Sequence, residues 1–169
     1  METRSDLIFK WSTYSALSLL ILLLQGFLPE IRLFGVTLFL PPVLVALLAS
    51  LEPNLQGLIF ALCFGLLCDL SLLGPTPCFY LVSFVLIAML SALLSTRILN
   101  AELLRSLAVA PAGILLSALL RLPLMLVDGV APLTEVLLYC GKELLLAMPF
   151  VVPLHFLFIF LHRRFHFYG

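Results

Sequence analysis

Long apolar stretches follow one another along most of this chain, separated only by short polar or proline-bearing breaks. A transmembrane helix needs about 20 apolar residues, so the 169 residues hold six spans and their connections, with little left for a domain outside the membrane. The residues are 63% hydrophobic and only 11% charged, whereas soluble domains are about half apolar and about a quarter charged. The sequence therefore predicts an all-α, polytopic membrane bundle that forms a single transmembrane domain over residues 1–169.

The apolar stretches predict six transmembrane helices. They cover residues 11–28, 34–51, 55–73, 79–95, 107–127 and 134–161. The second is the least regular, because Pro41 and Pro42 remove two amide donors within it. We expect these prolines to kink that helix or to divide it into a short outer piece and a longer inner piece. The first stretch is too long for a signal sequence and lacks a small-residue cleavage site, so we expect it to be retained.

Basic residues are distributed unequally over the two predicted sides of the membrane. If the N-terminus is cytoplasmic, only Arg32 lies on the outer side. The inner side then carries Arg4, Lys10, Arg97, Arg105, Arg163 and Arg164. Cytoplasmic loops are enriched in lysine and arginine, so we expect both termini to be cytoplasmic. The formal net charge is zero, which offers no basic surface for nucleic acid.

Four ionisable residues lie within the predicted spans: Asp69, Arg121, Lys142 and Glu143. A charged side chain at the centre of a membrane helix costs about 2.5–3.5 kcal/mol on insertion scales, so such residues usually face protein or water and have partners. On the predicted topology all four lie in the outer half of the membrane. We therefore consider them candidates for an intramembrane polar layer that stabilises the bundle or binds a partner.

Small residues recur at every fourth position before two of these charges. In the third span Gly57, Ala61 and Gly65 lead to Asp69, and in the fifth span Gly113 and Ser117 lead to Arg121. This spacing lets membrane helices approach closely, so we expect both stripes to be buried in the bundle.

The simplest hypothesis for the charges is one network in which Asp69 faces Arg121, completed by Glu143 or Lys142. The alternative is that Arg121 and Lys142 extend separately to the outer lipid headgroups.

The sequence carries no recognised motif for a catalytic site, a cofactor or a metal. Cys63, Cys68, Cys78 and Cys140 lack the spacing of metal ligands, and we interpret those within helices as small apolar residues. His162 and His166 are one turn apart, but beside Arg163 and Arg164 we expect them to contact headgroups. We predict a protein without enzymatic activity, cofactor or metal.

The stretch from Pro41 to about Leu94 resembles the family of the rod shape-determining protein MreD. The resemblance is carried by the segment from Pro42 to Ala49, by Gly57, by Gly65-Leu66-Leu67-Cys68-Asp69, by the Gly74-Pro75 turn and by the aromatic-rich helix that follows from Phe79. It covers about a third of the chain. One departure is that the family commonly has a second glycine after the Gly-Pro turn, where this chain reads Thr76-Pro77-Cys78.

The resemblance implies a scaffold in the bacterial inner membrane that belongs to the cell-elongation machinery. Its implied partner is the single-span protein MreC, which links it to the MreB cytoskeleton and to the wall synthases. The implied fold is similar to that of the substrate-binding components of energy-coupling-factor vitamin transporters. Homo-oligomers are also compatible with so small a bundle.

Two other functional classes stay open. The first is a vitamin-binding transporter subunit with the same fold, for which the expected Ala-x-x-x-Ala pattern of the first helix is reduced here to Ser12-x-x-x-Ala16. The second is a membrane-embedded transferase, whose polar catalytic groups only the layer around Asp69 could supply.

Overall fold

A computed structural model describes residues 4–27, 32–33, 36–52, 55–72, 76–97, 102–127 and 132–166. In these residues the chain forms six helices: α1 (Arg4–Phe27), α2 (Pro41–Leu51), α3 (Leu55–Ser71), α4 (Phe79–Arg97), α5 (Glu102–Val127) and α6 (Leu133–His166). Two two-residue strands, β1 (Arg32–Leu33) and β2 (Val36–Thr37), pair antiparallel between α1 and α2. The predicted helical class is confirmed, and α1, α4, α5 and α6 are long and apolar enough to cross a membrane.

The second predicted helix is shorter than the sequence suggested. Residues 36–37 are strand, residues 38–40 are neither strand nor helix, and helix α2 begins at Pro41. The first amides of a helix have no partner within it, so prolines in the first turn cost no hydrogen bond. The two prolines therefore start this helix and do not kink it. Its 11 residues extend about 16 Å, roughly half the thickness of a hydrocarbon core.

Helix α2 lies at the centre of the bundle. It contacts each of the other five helices, and every residue from Pro41 to Ser50 is buried. A helix that is apolar on all sides is expected in a protein core or in a membrane. Here the other helices surround α2, and they leave many of their large apolar side chains exposed on the outside of the bundle.

The non-helical chain before α2 is held by the buried side chain of Gln25 in α1. Its Nε2 donates a hydrogen bond of 2.8 Å to the carbonyl of Leu38, and its Oε1 accepts one of 3.2 Å from the amide of Leu40. One side-chain amide thus replaces the backbone partners that a helix would have provided. Non-helical backbone within a membrane is tolerated only where protein satisfies it in this way.

Contacts between the helix ends show that consecutive helices alternate in direction. At the end of the bundle where α1 begins, called here the N-terminal end, Lys10 of α1 forms a buried ion pair with Glu52, which follows α2. At the opposite end, called the hairpin end, Gln25 contacts the chain that leads into α2, and the last turn of α3 contacts the first turn of α4. The early part of α5 contacts the late part of α6, so these two helices also run in opposite directions.

Aromatic rings connect the two ends through the interior. Successive ring centroids lie 5.6–6.2 Å apart, within the range of favourable aromatic contacts. The series runs from the N-terminal end to the hairpin end through Trp11, Phe60, Phe64, Phe84, Tyr80 and Phe39. It places Tyr80 at the hairpin end, next to the charged residues described below.

Both small-residue stripes lie at helix contacts. A Cβ atom added to Gly57 would lie 2.3 Å from the backbone oxygen of Glu52, and one added to Gly113 would lie 3.0 Å from Cβ of Ala46 in α2. Ala61 and Ser117 are buried, and the Ser117 hydroxyl donates to the carbonyl of Ile114. The small residues thus bring α3 and α5 close to their neighbours.

The closest of these contacts is between Gly65 and the first turn of α4. A Cβ atom added there would lie 2.7 Å from Cα of Leu81 and 3.0 Å from the carbonyl oxygen of Tyr80. Both are backbone atoms, which cannot move aside as a flexible side chain can. The position therefore requires glycine so that α3 and α4 can approach this closely.

We predict that Gly65→Ala lowers the free energy of unfolding in detergent by about 1–3 kcal/mol, because the added methyl group separates α3 from α4. Gly65→Leu should lower it further. Gly26→Ala is the matched control, since Gly26 is also helical but has nothing within 4 Å of an added Cβ atom. Thermal denaturation of the purified variants measures the difference, and an unchanged stability for Gly65→Leu would contradict the contact.

Candidate functional site

The amides that begin helix α4 are satisfied by an aspartate from another helix. Asp69, near the end of α3, accepts hydrogen bonds from the backbone N–H of Tyr80 at 3.0 Å and of Leu81 at 2.9 Å, one on each carboxylate oxygen. A carboxylate at a helix N-terminus is stabilised by charge-assisted hydrogen bonds and by the helix dipole. Asp69 therefore caps α4 from a neighbouring helix.

The backbone just before α4 provides acceptors for only two of the four amides in the first turn of the helix. Cys78 immediately precedes the helix and has a φ of 62°, a left-handed conformation that non-glycine residues rarely adopt. The amide of Phe79 donates to Thr76, and that of Val82 donates to Cys78. Tyr80 and Leu81 are left for Asp69, so all four amides of the first turn have partners. Cys78 occupies the segment where the resemblance leads one to expect glycine, while Gly74 and Pro75 lie outside the described residues.

Gly65 and Asp69 act on the same point of α4. They are one helical turn apart on α3, and both meet Leu81, Gly65 through close packing and Asp69 through a hydrogen bond. A larger residue at 65 would hold the helices apart and move the carboxylate out of reach of the amides. The glycine and the aspartate of the motif together form one structural joint between α3 and α4.

The arginine at this end of the bundle pairs with a different acid. Arg121 of α5 donates a hydrogen bond of 2.5 Å to the Glu143 carboxylate of α6. The Glu143 side chain is 3% exposed and that of Arg121 is 20% exposed, so the carboxylate depends on this partner. The guanidinium also lies over the ring of Tyr139, 5.9 Å from its centroid. Arg121 is thus held between α5 and α6 and does not extend separately to the headgroups.

The predicted pairing of Asp69 with Arg121 is wrong. Asp69 is occupied by two backbone amides, and Arg121 is occupied by Glu143. Asp69 lies in the last turn of α3, whereas Arg121 lies in the later part of α5 and Glu143 in the earlier part of α6. All three therefore belong to the half of the bundle towards the hairpin end.

The fourth residue, Lys142, lies on the outside of the bundle. It is exposed on α6, within a segment long and apolar enough to cross a membrane, and forms no ion pair with an acid among the described residues. It is adjacent to Glu143 in sequence, but successive residues of a helix point about 100° apart, so only Glu143 faces the interior. Lys142 does not complete the internal network.

Three buried polar contacts lie at positions that the sequence analysis did not single out. One is Gln25, which holds the chain before α2. The second is the ion pair of Lys10 and Glu52, both buried, which fastens the start of α1 to the turn after α2.

The third contact is between Ser106 of α5 and His155 of α6, whose Oγ and Nδ1 atoms lie 2.5 Å apart. His155 is a polar residue within an apolar stretch, and that isolation is a signal that could have identified it.

Three cavities lie between helices of the described part of the chain, with volumes of about 350, 360 and 430 Å³. The two larger ones lie between α1 and α3, where Leu23 and Ile59 are about half exposed. The smallest is bordered by α2, α3 and α4, with Glu52 at its margin. Apolar side chains form most of their walls, so the cavities are grooves suited to lipid chains or apolar helices.

The described residues contain no group of three or more His, Cys, Asp or Glu side chains that could hold a metal ion. The side chains of His162 and His166 lie outside the description. Comparisons with protein-family models, curated proteins and solved structures found no match.

We predict that Arg121 and Glu143 are strongly coupled, whereas Asp69 and Arg121 are nearly independent. Removing one member of a buried pair typically costs about 3–5 kcal/mol, and removing both costs much less. Arg121→Gln should therefore lose stability that Glu143→Gln restores in the double variant.

Asp69→Asn combined with Arg121→Gln should give nearly additive losses and serves as the control cycle, because Asp69 binds amides of α4. Denaturation of the single and double variants in detergent measures both cycles. Recovery of stability in the Asp69/Arg121 cycle would contradict the assignment of partners.

Proposed function

We propose that this protein is a non-enzymatic scaffold of a bacterial inner membrane, similar to MreD. In this role it binds a single-span MreC-like protein and is linked through it to the MreB cytoskeleton and the wall synthases. The observation that supports the proposal best is the joint between α3 and α4. Two of the residues that carry the resemblance, Gly65 and Asp69, both contact Leu81 and together hold α3 against α4.

Several ionisable side chains join one part of the bundle to another, which also favours a scaffold. Asp69 caps a helix, Arg121 and Glu143 join α5 to α6, and Lys10 and Glu52 join α1 to the turn after α2. Each of these contacts fixes one helix against another. Their common effect is a rigid bundle that presents constant outer faces to other membrane proteins.

The proposed topology has six membrane crossings with both termini in the cytoplasm. Its support is the alternation of the helix ends together with the inner excess of basic residues. The short helix α2 can complete a crossing because β1, β2 and residues 38–40 precede it. Gln25 satisfies the backbone groups of Leu38 and Leu40 in that segment. The hairpin end then faces the periplasm.

The competing function is that of a vitamin-binding transporter subunit. The cavities of 350–430 Å³ fall within the size range of small-molecule sites, which is the observation in its favour. Such sites usually enclose the ligand and place several polar groups around it. The grooves of this protein open to the outside between apolar helices, which suits a scaffold better.

We predict that the protein, purified from native membranes in mild detergent, carries a single-span partner with a periplasmic domain. It should also restore rod shape to cells depleted of their own MreD, and Gly65→Leu should abolish this rescue. Gly26→Ala is the control and should rescue normally, since an added Cβ atom there has nothing within 4 Å. Recovery of a bound vitamin or of a transporter ATPase would support the competing function instead.

The topology leads to a separate prediction. A cysteine introduced at Gly169 should react with thiol reagents only after the inner face is made accessible, whereas one at Pro75 should react in intact spheroplasts. The native cysteines would first be replaced by serine or alanine to remove background labelling. A reactive Gly169 position in intact spheroplasts would contradict the six-span arrangement.

A further inference from the structure

One outward face of α6 combines a lysine that pairs with no acid of the described residues and a glycine with open space beside it. Lys142 is exposed, and an added Cβ at the exposed Gly141 would meet nothing within 4 Å. Their neighbours along this face are the exposed side chains of Leu138 and Leu145. Around Lys142 the face is therefore apolar, and Gly141 leaves room for a close approach.

The position of Lys142 in α6 makes its charge significant. It follows the start of α6 at Leu133 by about 13.5 Å along the helix axis, within the segment Leu133–Leu161 that is long and apolar enough to cross a membrane. A lysine that faces hydrocarbon in such a segment requires an anionic partner or must extend to the headgroups. The nearest other acid on α6, Glu143, is buried and already paired with Arg121.

The charge pattern of the face identifies the chemistry of a partner. Glu135 is exposed near the start of α6 and lies seven residues before Lys142, so both point to the same side. The face therefore carries a negative charge near the hairpin end and a positive charge deeper in the membrane. A complementary helix would carry a carboxylate at the depth of Lys142 and a basic residue nearer the surface.

We propose that this face of α6 is a docking site for a partner's transmembrane helix that carries a carboxylate at the depth of Lys142. The Lys142 ammonium pairs with that carboxylate, and Gly141 lets the two helix backbones approach closely. The inference rests on the proposed scaffold function and deepens it, because it assigns the partner's helix to one face of the bundle.

The test uses purified full-length protein in vesicles of neutral phosphatidylcholine and a synthetic partner helix. The probe is a single-span Leu/Ala peptide of about 20 residues with one glutamate at the depth of Lys142. A second peptide carries glutamine at that position. Energy transfer between labels on the protein and the peptide measures association, and we expect the glutamate peptide to bind about tenfold tighter.

Three variants identify the groups responsible. Lys142→Gln should remove the preference for the glutamate peptide, and Lys142→Arg should keep it because the charge is retained. Gly141→Leu should weaken the binding of both peptides, whereas the control Gly26→Ala should change neither, because Gly26 lies on α1 and an added Cβ atom there has nothing within 4 Å. Lys142 and Gly141 are exposed, so these changes leave the internal contacts intact.

Equal affinity for the two peptides would overturn the proposal, as would a preference that persists in Lys142→Gln. Helical side chains lean towards the helix N-terminus, so Lys142 could instead reach the lipid phosphates at the hairpin end. In that case Lys142→Gln would reduce the enrichment of anionic lipid around the protein, and the peptides would not be distinguished. Because co-purification and rescue of rod shape are measured separately, a failed docking test leaves the scaffold function standing.

Discussion

Every backbone amide in a hydrocarbon environment needs a partner from the protein, and the whole bundle is arranged around this requirement. At two points the chain cannot supply the partner locally. Before α2 the backbone is not helical, and before α4 Cys78 has a left-handed conformation. In both places a polar side chain from a distant helix supplies the hydrogen bonds: Gln25 for residues 38–40 and Asp69 for the first turn of α4.

These side chains determine how the helices pack. Gln25 fixes α1 against the entry to α2, so that a helix of 11 residues can occupy the centre of the bundle. Asp69 can reach its amides only because Gly65 allows α3 to approach α4. The two residues therefore act together. Gly65 allows α3 and α4 to approach closely, and Asp69 forms its hydrogen bonds across that close contact. The ion pairs of Lys10 with Glu52 and of Arg121 with Glu143 then join the remaining helices.

The apolar stretches and their breaks were sufficient to predict six helices, because hydrophobic length is a strong local signal. The fourfold spacing from Gly57 to Asp69 correctly indicated which face of α3 is buried. The partner of Asp69 could not be predicted from the sequence. A sequence shows which charged side chains are available as partners, but it does not show which backbone amides lack a partner. The start of α2 was missed for a similar reason, since Pro41-Pro42 fits both a kink and a helix start. His155 and Glu52 acquire their partners only through tertiary packing.

The buried charged side chains already have partners within the fold, so the outer surface is the better candidate for binding other proteins. Inside the bundle, Asp69, Glu143 and Glu52 each have partners that hold two elements of the fold together. A group that already fixes the fold is a poor candidate for binding that must be made and broken. Lys142 differs because it faces outwards and no other part of the described fold neutralises it. A lysine in a membrane-crossing segment needs an anionic partner or contact with the headgroups, and our proposal is that a partner's helix packed against Gly141 supplies that anion.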